Sequence, residues 1–184
     1  MLSRKLEDLL DSIAAKRQKV LAQVSGLTGS QLEYRLEGGW SIQDIVHHLA
    51  LTDEANLKLF QNFLKQSETA ALGPDSTPDQ LVSNCMDDFF DKVSDSKLNA
   101  PPRVTPREPV EIEQSLGRLA SSRARLREIV EKLSAFDLSQ LKFPHPAAGD
   151  LNPYQWLAVA GGHEARHAAQ IERLKLHPSF PSQA

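Results

Sequence analysis

This chain of 184 residues lacks the features that disulfide-linked, nucleic-acid-binding and membrane proteins share. Its one cysteine, Cys85, excludes an intramolecular disulfide framework. Its 21 basic and 24 acidic residues give a formal net charge of −3, so the chain lacks the excess of positive charge that is typical of nucleic-acid-binding proteins. No apolar run approaches the length of a membrane span, and the first ten residues lack the apolar core of a signal peptide. We therefore expect a soluble, cytoplasmic protein with no membrane partner.

Strand patterns and internal repeats are also missing, and helical periodicity takes their place. A shorter helix is predicted over residues 79–93, and the four prolines of residues 99–109 predict a long crossover. The length suits one domain with a real core. The pattern thus predicts an all-α fold, a single-domain four-helix bundle over residues 1–184 with a long Pro-rich crossover and a short extra helix. The four long helical segments are approximately residues 3–24, 42–65, 110–134 and 153–176.

Local signals mark where helices begin and where loops intervene. Ser41 followed by Asp44 is close to a capping box, and Pro153 suits the first turn of the last helix. Residues 143–152 contain two prolines and a glycine, so we predict a loop there. The Gly161-Gly162 pair inside the last helix predicts close packing beside the neighbouring histidine.

The last predicted helix carries two histidines at a spacing typical of a metal site. His163 and His167 are four residues apart, so both rings project from one face of the helix. A buried imidazole needs hydrogen-bond partners or a metal ion to offset its desolvation. The pair therefore indicates metal ligands, and satisfied core histidines are the alternative. The apolar residues that share this face are Trp156, Ala160, Ile171 and Leu174.

A third ligand is expected, because a metal held by protein alone usually has at least three. The second long helix offers His47 and His48, which helical winding separates by about 100°. His48 lies beside the apolar stripe and His47 on the outward side, so His48 is the better candidate. Asp53 lies near the centre of the stripe and can accept the second ring N–H of a ligating histidine. The alternative for Asp53 is a salt bridge to an arginine of another helix.

No catalytic residue is identified by the sequence. Asp53, Glu54 and Glu164 are candidates for a general acid or base by proximity alone, and Glu164 points away from the midline of the histidine pair. His145 and His177 are expected at the surface.

Three further residues are expected to serve packing rather than chemistry. We expect Trp40 and Trp156 to be core anchors rather than contacts of a cofactor. Cys85 has no activating neighbour and is expected to be a buried small hydrophobe.

Taken in order, the motifs of this chain resemble those of the DinB/YfiT-like superfamily of four-helix-bundle metalloproteins. The resemblance covers about residues 6–176, and its motifs are degenerate singly but specific in this order. They are Gly39-Trp40-Ser41, His48-Leu49, His145-Pro146-Ala147-Ala148-Gly149, Gln155-Trp156-Leu157 and His163-x-x-x-His167-x-x-Gln170-Ile171.

The resemblance implies a function and a ligand set. In such proteins one histidine of the second helix and two of the last bind a divalent metal, often zinc or nickel, which implies His48, His163 and His167 here. Known activities include thiol S-transferases and a thiol-dependent isomerase, so a metal-dependent enzyme acting on small molecules with a low-molecular-weight thiol is expected. A metal-dependent hydrolase and a non-catalytic, metal-stabilised binding protein are the alternatives. Family members often pair, so a homodimer is also expected.

Overall fold

The computed structural model of the chain describes residues 2–74, 79, 82, 99–146 and 148–182. Within these residues the predicted all-α four-helix bundle is confirmed, and a short helix α2 (Gly29–Leu32) follows the first long helix. Cys85 and most of the helix predicted over residues 79–93 lie outside the described residues. No helix in the described part of the chain is long and apolar enough to cross a membrane. The long helices are α1 (Arg4–Val24), α3 (Ile42–Thr69), α4 (Ile112–Leu133) and α5 (Pro153–Lys175).

Three of the four long helices, α1, α3 and α5, begin after a residue whose side chain accepts a hydrogen bond from a free backbone N–H group. At the start of α3, the Asp44 N–H donates to Ser41 Oγ (3.1 Å) and the Ser41 N–H donates to the Asp44 carboxylate (2.9 Å). The predicted capping box is therefore complete. At the start of α5, Asn152 and Gln155 form a second such box, with Pro153 at the first helical position as predicted.

The two connections around α4 carry short structured elements. The Pro-rich crossover contains a 3₁₀ turn (Pro102–Val104) that packs against α3. The prediction of a plain loop over residues 143–152 is wrong, because strands β1 (Phe143–His145) and β2 (Gly149–Leu151) pair there as an antiparallel hairpin. Strands of three residues are too short to show an alternating pattern. Trp156 Nε1 donates to the Phe143 carbonyl (3.2 Å), which holds the hairpin on α5.

The bundle packs chiefly as α1 on α5 and α3 on α4. Gly161 makes the first of these contacts close, because a Cβ built there would lie 3.1 Å from Cγ1 of Ile13. The predicted close packing near His163 is thus confirmed, and its partner is α1.

A layer of four buried or partly buried charges divides the apolar core into two clusters. The layer consists of Arg17, Asp53, Arg123 and Glu164, one residue from each long helix. Along α1, Ile13 belongs to one cluster and Val20 to the other, and Arg17 lies between them. On each of the other three long helices the charged residue likewise lies between members of the two clusters. One cluster includes Leu6, Leu10, Ile13, Phe60, Phe63, Leu126, Val130 and Leu157. The other includes Val20, Val24, Ile45, Leu49, Ile112, Leu119, Ala168 and Ile171.

Arg17 is the centre of this charge layer. Its Nη2 lies 3.0 Å from Asp53 Oδ2, its Nε lies 2.9 Å from Glu164 Oε2, and its Nη2 also contacts Glu164 Oε1. Arg123 Nη2 reaches Glu164 Oε1 at 3.0 Å. Arg17 is 4% exposed and Glu164 is 2% exposed, so the charges depend on one another for solvation.

Replacing Arg17 by alanine should destabilise the protein by about 3–5 kcal/mol, because two carboxylates would lose the guanidinium that offsets their burial. Denaturation with urea measures this loss. Arg127→Ala is the control: Arg127 forms an exposed pair with Glu131 on α4 (3.3 Å), so its loss should cost less than about 1 kcal/mol. Equal effects of the two substitutions would contradict the role of the charge layer.

Candidate metal centre

Three imidazoles from two helices converge between α3 and α5. His48 Nε2 lies 3.0 Å from His163 Nε2, and His167 Nε2 lies 3.1 Å from the same atom. One ring nitrogen from each histidine lies within 4.8 Å of the other two. The structure therefore brings together the three residues that were predicted as ligands.

The outer nitrogens of two rings are held by carbonyl oxygens. His48 Nδ1 donates to the backbone carbonyl of Val104 (2.6 Å), and His167 Nδ1 donates to the side-chain carbonyl of Gln170 (2.9 Å). Because a carbonyl oxygen only accepts, each ring carries its hydrogen on Nδ1 and turns an Nε2 lone pair inward. This is the arrangement that commonly orients metal-binding histidines.

The inner contacts fit a bound cation. His163 Nε2 can carry one hydrogen and can donate it to one neighbour only. The other neighbour's lone pair is then left without a partner; if His163 Nε2 carries no hydrogen, three lone pairs face one another at about 3 Å, which is unfavourable without a cation between them. Two nitrogen ligands of a tetrahedral zinc ion, each at about 2.05 Å, lie about 3.3 Å apart. The observed separations of 3.0 and 3.1 Å are close to that value.

Burial keeps the three rings uncharged at neutral pH. It lowers the pKa of His167 to about 3 and the pKa of His163 well below its usual range. It also lowers the pKa of His48, against the opposing effect of the bond to Val104. The neighbouring rings and the positive charge of Arg166 act in the same direction as burial. A neutral imidazole is the form that binds metal.

Trp40, in the segment between α2 and α3, packs against two of the rings. Its ring centroid lies 4.6 Å from that of His48 and 6.4 Å from that of His167. Trp40 also packs against the core cluster of Val20 and Ile45, as expected, so it joins the histidines to the core. The turn before it depends on Gly38, whose φ of +68° is a conformation that favours glycine.

A cavity of about 430 Å³ adjoins the histidines, and all three of them line it. This volume suits a small organic molecule. The expectation for His145 is corrected here, because it is half-buried and lines the cavity from β1, with its ring 5.0 Å from that of Trp156. Trp156 is buried as expected but also presents part of its surface to the cavity.

The three carboxylates considered for acid–base chemistry are all bound by arginines. Asp53 pairs with Arg17 and not with a ligating histidine, so the salt-bridge alternative is the one observed. Glu164 pairs with Arg17 and Arg123. Glu54 accepts two hydrogen bonds from Arg118, at 2.7 and 2.8 Å.

The outward position expected for His47 is wrong. His47 is 8% exposed, because α4 packs against the flank of α3 that carries it, near Arg118 and Glu54. It is nevertheless not part of the histidine cluster.

Sequence reasoning missed the groups that orient the cluster. Gln170 follows His167 by three residues, a helical spacing that could have identified it. The Val104 carbonyl belongs to the backbone and has no side-chain signal. Thr52 and Arg166, which also line the cavity, follow two histidines of the cluster, His48 and His163, at spacings of four and three residues.

Comparison of the sequence with known proteins identifies a family and two similar proteins. Residues 12–171 match the family model of the DinB superfamily. The chain is 30% identical over 154 residues to a Geobacillus kaustophilus (strain HTA426) protein named "putative metal-dependent hydrolase", covering 83% of this chain and 74% of that protein. It is 23% identical over 155 residues to the uncharacterized protein YuaE of Bacillus subtilis (strain 168), covering 83% and 88%.

Two solved structures share the fold. TT2238, described as a four-helix bundle protein, superposes with a TM-score of 0.61 at 22% identity, over 91% of this chain and 98% of that one. YfiT from Bacillus subtilis, described as "a probable metal-dependent hydrolase with an unusual four-helix bundle topology", gives 0.62 at 20% identity, over 95% and 89%. At these identities the likeness concerns the fold.

The metal-free protein should lose stability as the pH falls from about 7.5 to 5.5, because unfolded histidines gain protons near pH 6.5. His167, with a pKa of about 3, does not gain one while folded. Below pH 6.5 the unfolded state therefore binds more protons than the folded state. Each histidine that stays neutral in the folded state then lowers the free energy of unfolding by up to about 1.4 kcal/mol per pH unit. Urea denaturation in the presence of a chelator measures the slope, and His167→Gln should reduce it. An identical slope in the variant would contradict this assignment.

Proposed function

Since this chain belongs to the DinB superfamily, we propose that it is a metal-dependent enzyme acting on small molecules, with His48, His163 and His167 as its ligands. The observation that carries the proposal is the convergence of three Nε2 atoms at separations that a bound cation would stabilise. Zinc or nickel is the ion that the family resemblance implies, and neutral imidazole suits both.

We propose thiol transfer as the reaction: the joining of a low-molecular-weight thiol to a small electrophile. A divalent ion in this site would lower the pKa of a thiol or a water molecule placed beside it. No carboxylate in the described part of the chain lines the cavity, and Asp53, Glu54 and Glu164 are bound by arginines. A thiol, with an ordinary pKa of about 8.5, needs less help than water to lose its proton.

The chain's own residues would support this chemistry in distinct ways. Val104 and Gln170 hold two of the rings in the tautomer that presents Nε2. Trp40 shields the rings from solvent. The adjoining cavity would hold the electrophile within reach of the cluster.

Hydrolysis is the second candidate, and the names given to relatives favour it. Hydrolysis would call for a group that takes a proton from water. His145 is the candidate, since it lines the cavity and its pKa is lowered by burial. A homodimer stays a prediction of the sequence, which sedimentation at micromolar concentration would test.

Metal content should distinguish the ligands from their neighbour. We expect His48→Ala, His163→Ala and His167→Ala to be purified without metal, because each removes one of three ligands. His47→Ala is the matched control: it removes a buried histidine from the adjacent position of α3 and should retain the metal. Elemental analysis of the four folded variants measures this. Metal lost in His47→Ala but retained in His48→Ala would reverse the assignment.

Activity should require the metal and should not require Cys85. Conjugation of a thiol to a panel of electrophiles, and hydrolysis of a panel of esters and amides without thiol, would be measured in three samples: as purified, chelated, and restored with Zn²⁺ or Ni²⁺. We expect conjugation to disappear on chelation, to return with metal and to survive in Cys85→Ser.

The same assays separate the two candidate reactions. If the protein turns over esters or amides without thiol, and His145→Gln abolishes that turnover, hydrolysis would replace thiol transfer as the proposed reaction. Activity that survives full demetallation would contradict both, and inactivity toward every substrate would favour a non-catalytic role.

A further inference from the structure

Arginine side chains line the cavity beside the histidines, and no described carboxylate balances them. Arg103 and Arg166 both contribute to its wall. Acidic residues outnumber basic ones in the whole chain, 24 to 21, so this is a local reversal of the overall charge. A cleft lined by one sign of charge attracts ligands of the opposite sign.

Arg166 differs from the arginines of the bundle interior. Arg17, Arg118 and Arg123 each have a carboxylate within 3.0 Å. Arg166 is partly buried on α5, and no carboxylate in the described residues comes within 4.0 Å of its guanidinium. A guanidinium keeps its charge at every physiological pH, and its planar fork matches a carboxylate. The site thus holds a positive charge that no carboxylate of the described residues matches.

Thr52 supplies a second, independent indication. Its hydroxyl is buried and has no hydrogen-bond partner within the described structure, although Thr52 lines the cavity. Other hydroxyls on α3 bond to the carbonyl four residues earlier: Ser67 to Phe63 at 3.0 Å and Thr69 to Lys65 at 2.7 Å. A buried hydroxyl without a partner is unfavourable, and a rotation of the Thr52 side chain about its Cα–Cβ bond would present that hydroxyl to a ligand in the cavity.

We propose that the substrate carries a carboxylate group, which pairs with Arg166 and accepts a hydrogen bond from Thr52. The proposal names the substrate class of the metal-dependent enzyme proposed above, and to that extent rests on that function. Three neutral imidazoles leave the charge of a divalent ion uncompensated, which adds to the preference for an anion. Arg103, exposed at the wall of the cavity, adds a long-range attraction.

Binding to the metal-free protein tests this without depending on turnover. The chelated protein would be titrated with succinate and followed by NMR, and uncharged succinamide would serve as the control ligand. We expect saturable binding of succinate only, weakened about tenfold or more in Arg166→Gln and about two- to tenfold in Thr52→Val. Arg173→Gln is the matched control, because Arg173 is an exposed arginine two turns further along α5.

A second substitution at Arg166 distinguishes the loss of a ligand contact from the loss of the fold. Arg166→Lys keeps the charge but loses the fork, so it should bind succinate more tightly than Arg166→Gln and more weakly than the unmodified protein. Circular dichroism and zinc content would show that each variant keeps its fold and its histidine cluster.

The outcomes separate this proposal from the proposed function. Equal succinate affinity in Arg166→Gln and the unmodified protein, or equal affinity for succinamide, would overturn the carboxylate site even if metal-dependent turnover were found. Succinate binding that depends on Arg166, together with a protein inactive in every metal-restored assay, would remove the enzymatic function and leave the carboxylate site standing.

Discussion

The bidentate hold of Arg17 on Glu164, extended to Asp53 and Arg123, is the interaction on which the rest of this structure depends. Buried charges are tolerated only when their partners are in place, so the layer favours the axial alignment of the four helices that pairs them. Glu164 is the neighbour of His163 in sequence, and Asp53 follows His48 by five residues, or about 7.5 Å of helix. A shift of α3 along α5 by one turn would therefore break the charge layer and separate the histidines together.

The fold and the convergence of the three histidines could be predicted from the sequence, because both depend on helical periodicity. The position of His163 and His167 on an apolar face is a local property that neighbouring residues reveal. His47 shows the limit of the same reasoning: a single apolar stripe does not reveal that α3 is covered by α4 on one flank and by α5 on the other. Asp53 shows another limit, since its partner lies 36 residues away on α1 and no local pattern selects it.

The remaining parts of the site come from segments without a periodic signal. The Pro-rich crossover supplies the Val104 carbonyl, which sets the tautomer of His48, and it does so through backbone rather than side chain. The hairpin of residues 143–151 brings His145 to the cavity. Connections that look like linkers in the sequence thus complete a site whose three histidines come from helices. This is the usual division between a rigid scaffold and loops that carry function.

The charge layer also gives the protein a modular interior. Because it separates the two apolar clusters, side chains in one have few neighbours in the other, and substitutions in the two should combine additively. Sequence drift can then proceed in the cluster around Phe60 and Phe63 without disturbing the cluster that supports His48 and His167. Because the clusters are separated in this way, substitutions around Phe60 and Phe63 can change the stability of the protein without changing the histidine site. The same cluster is therefore the part of the core that can be redesigned with the least effect on that site.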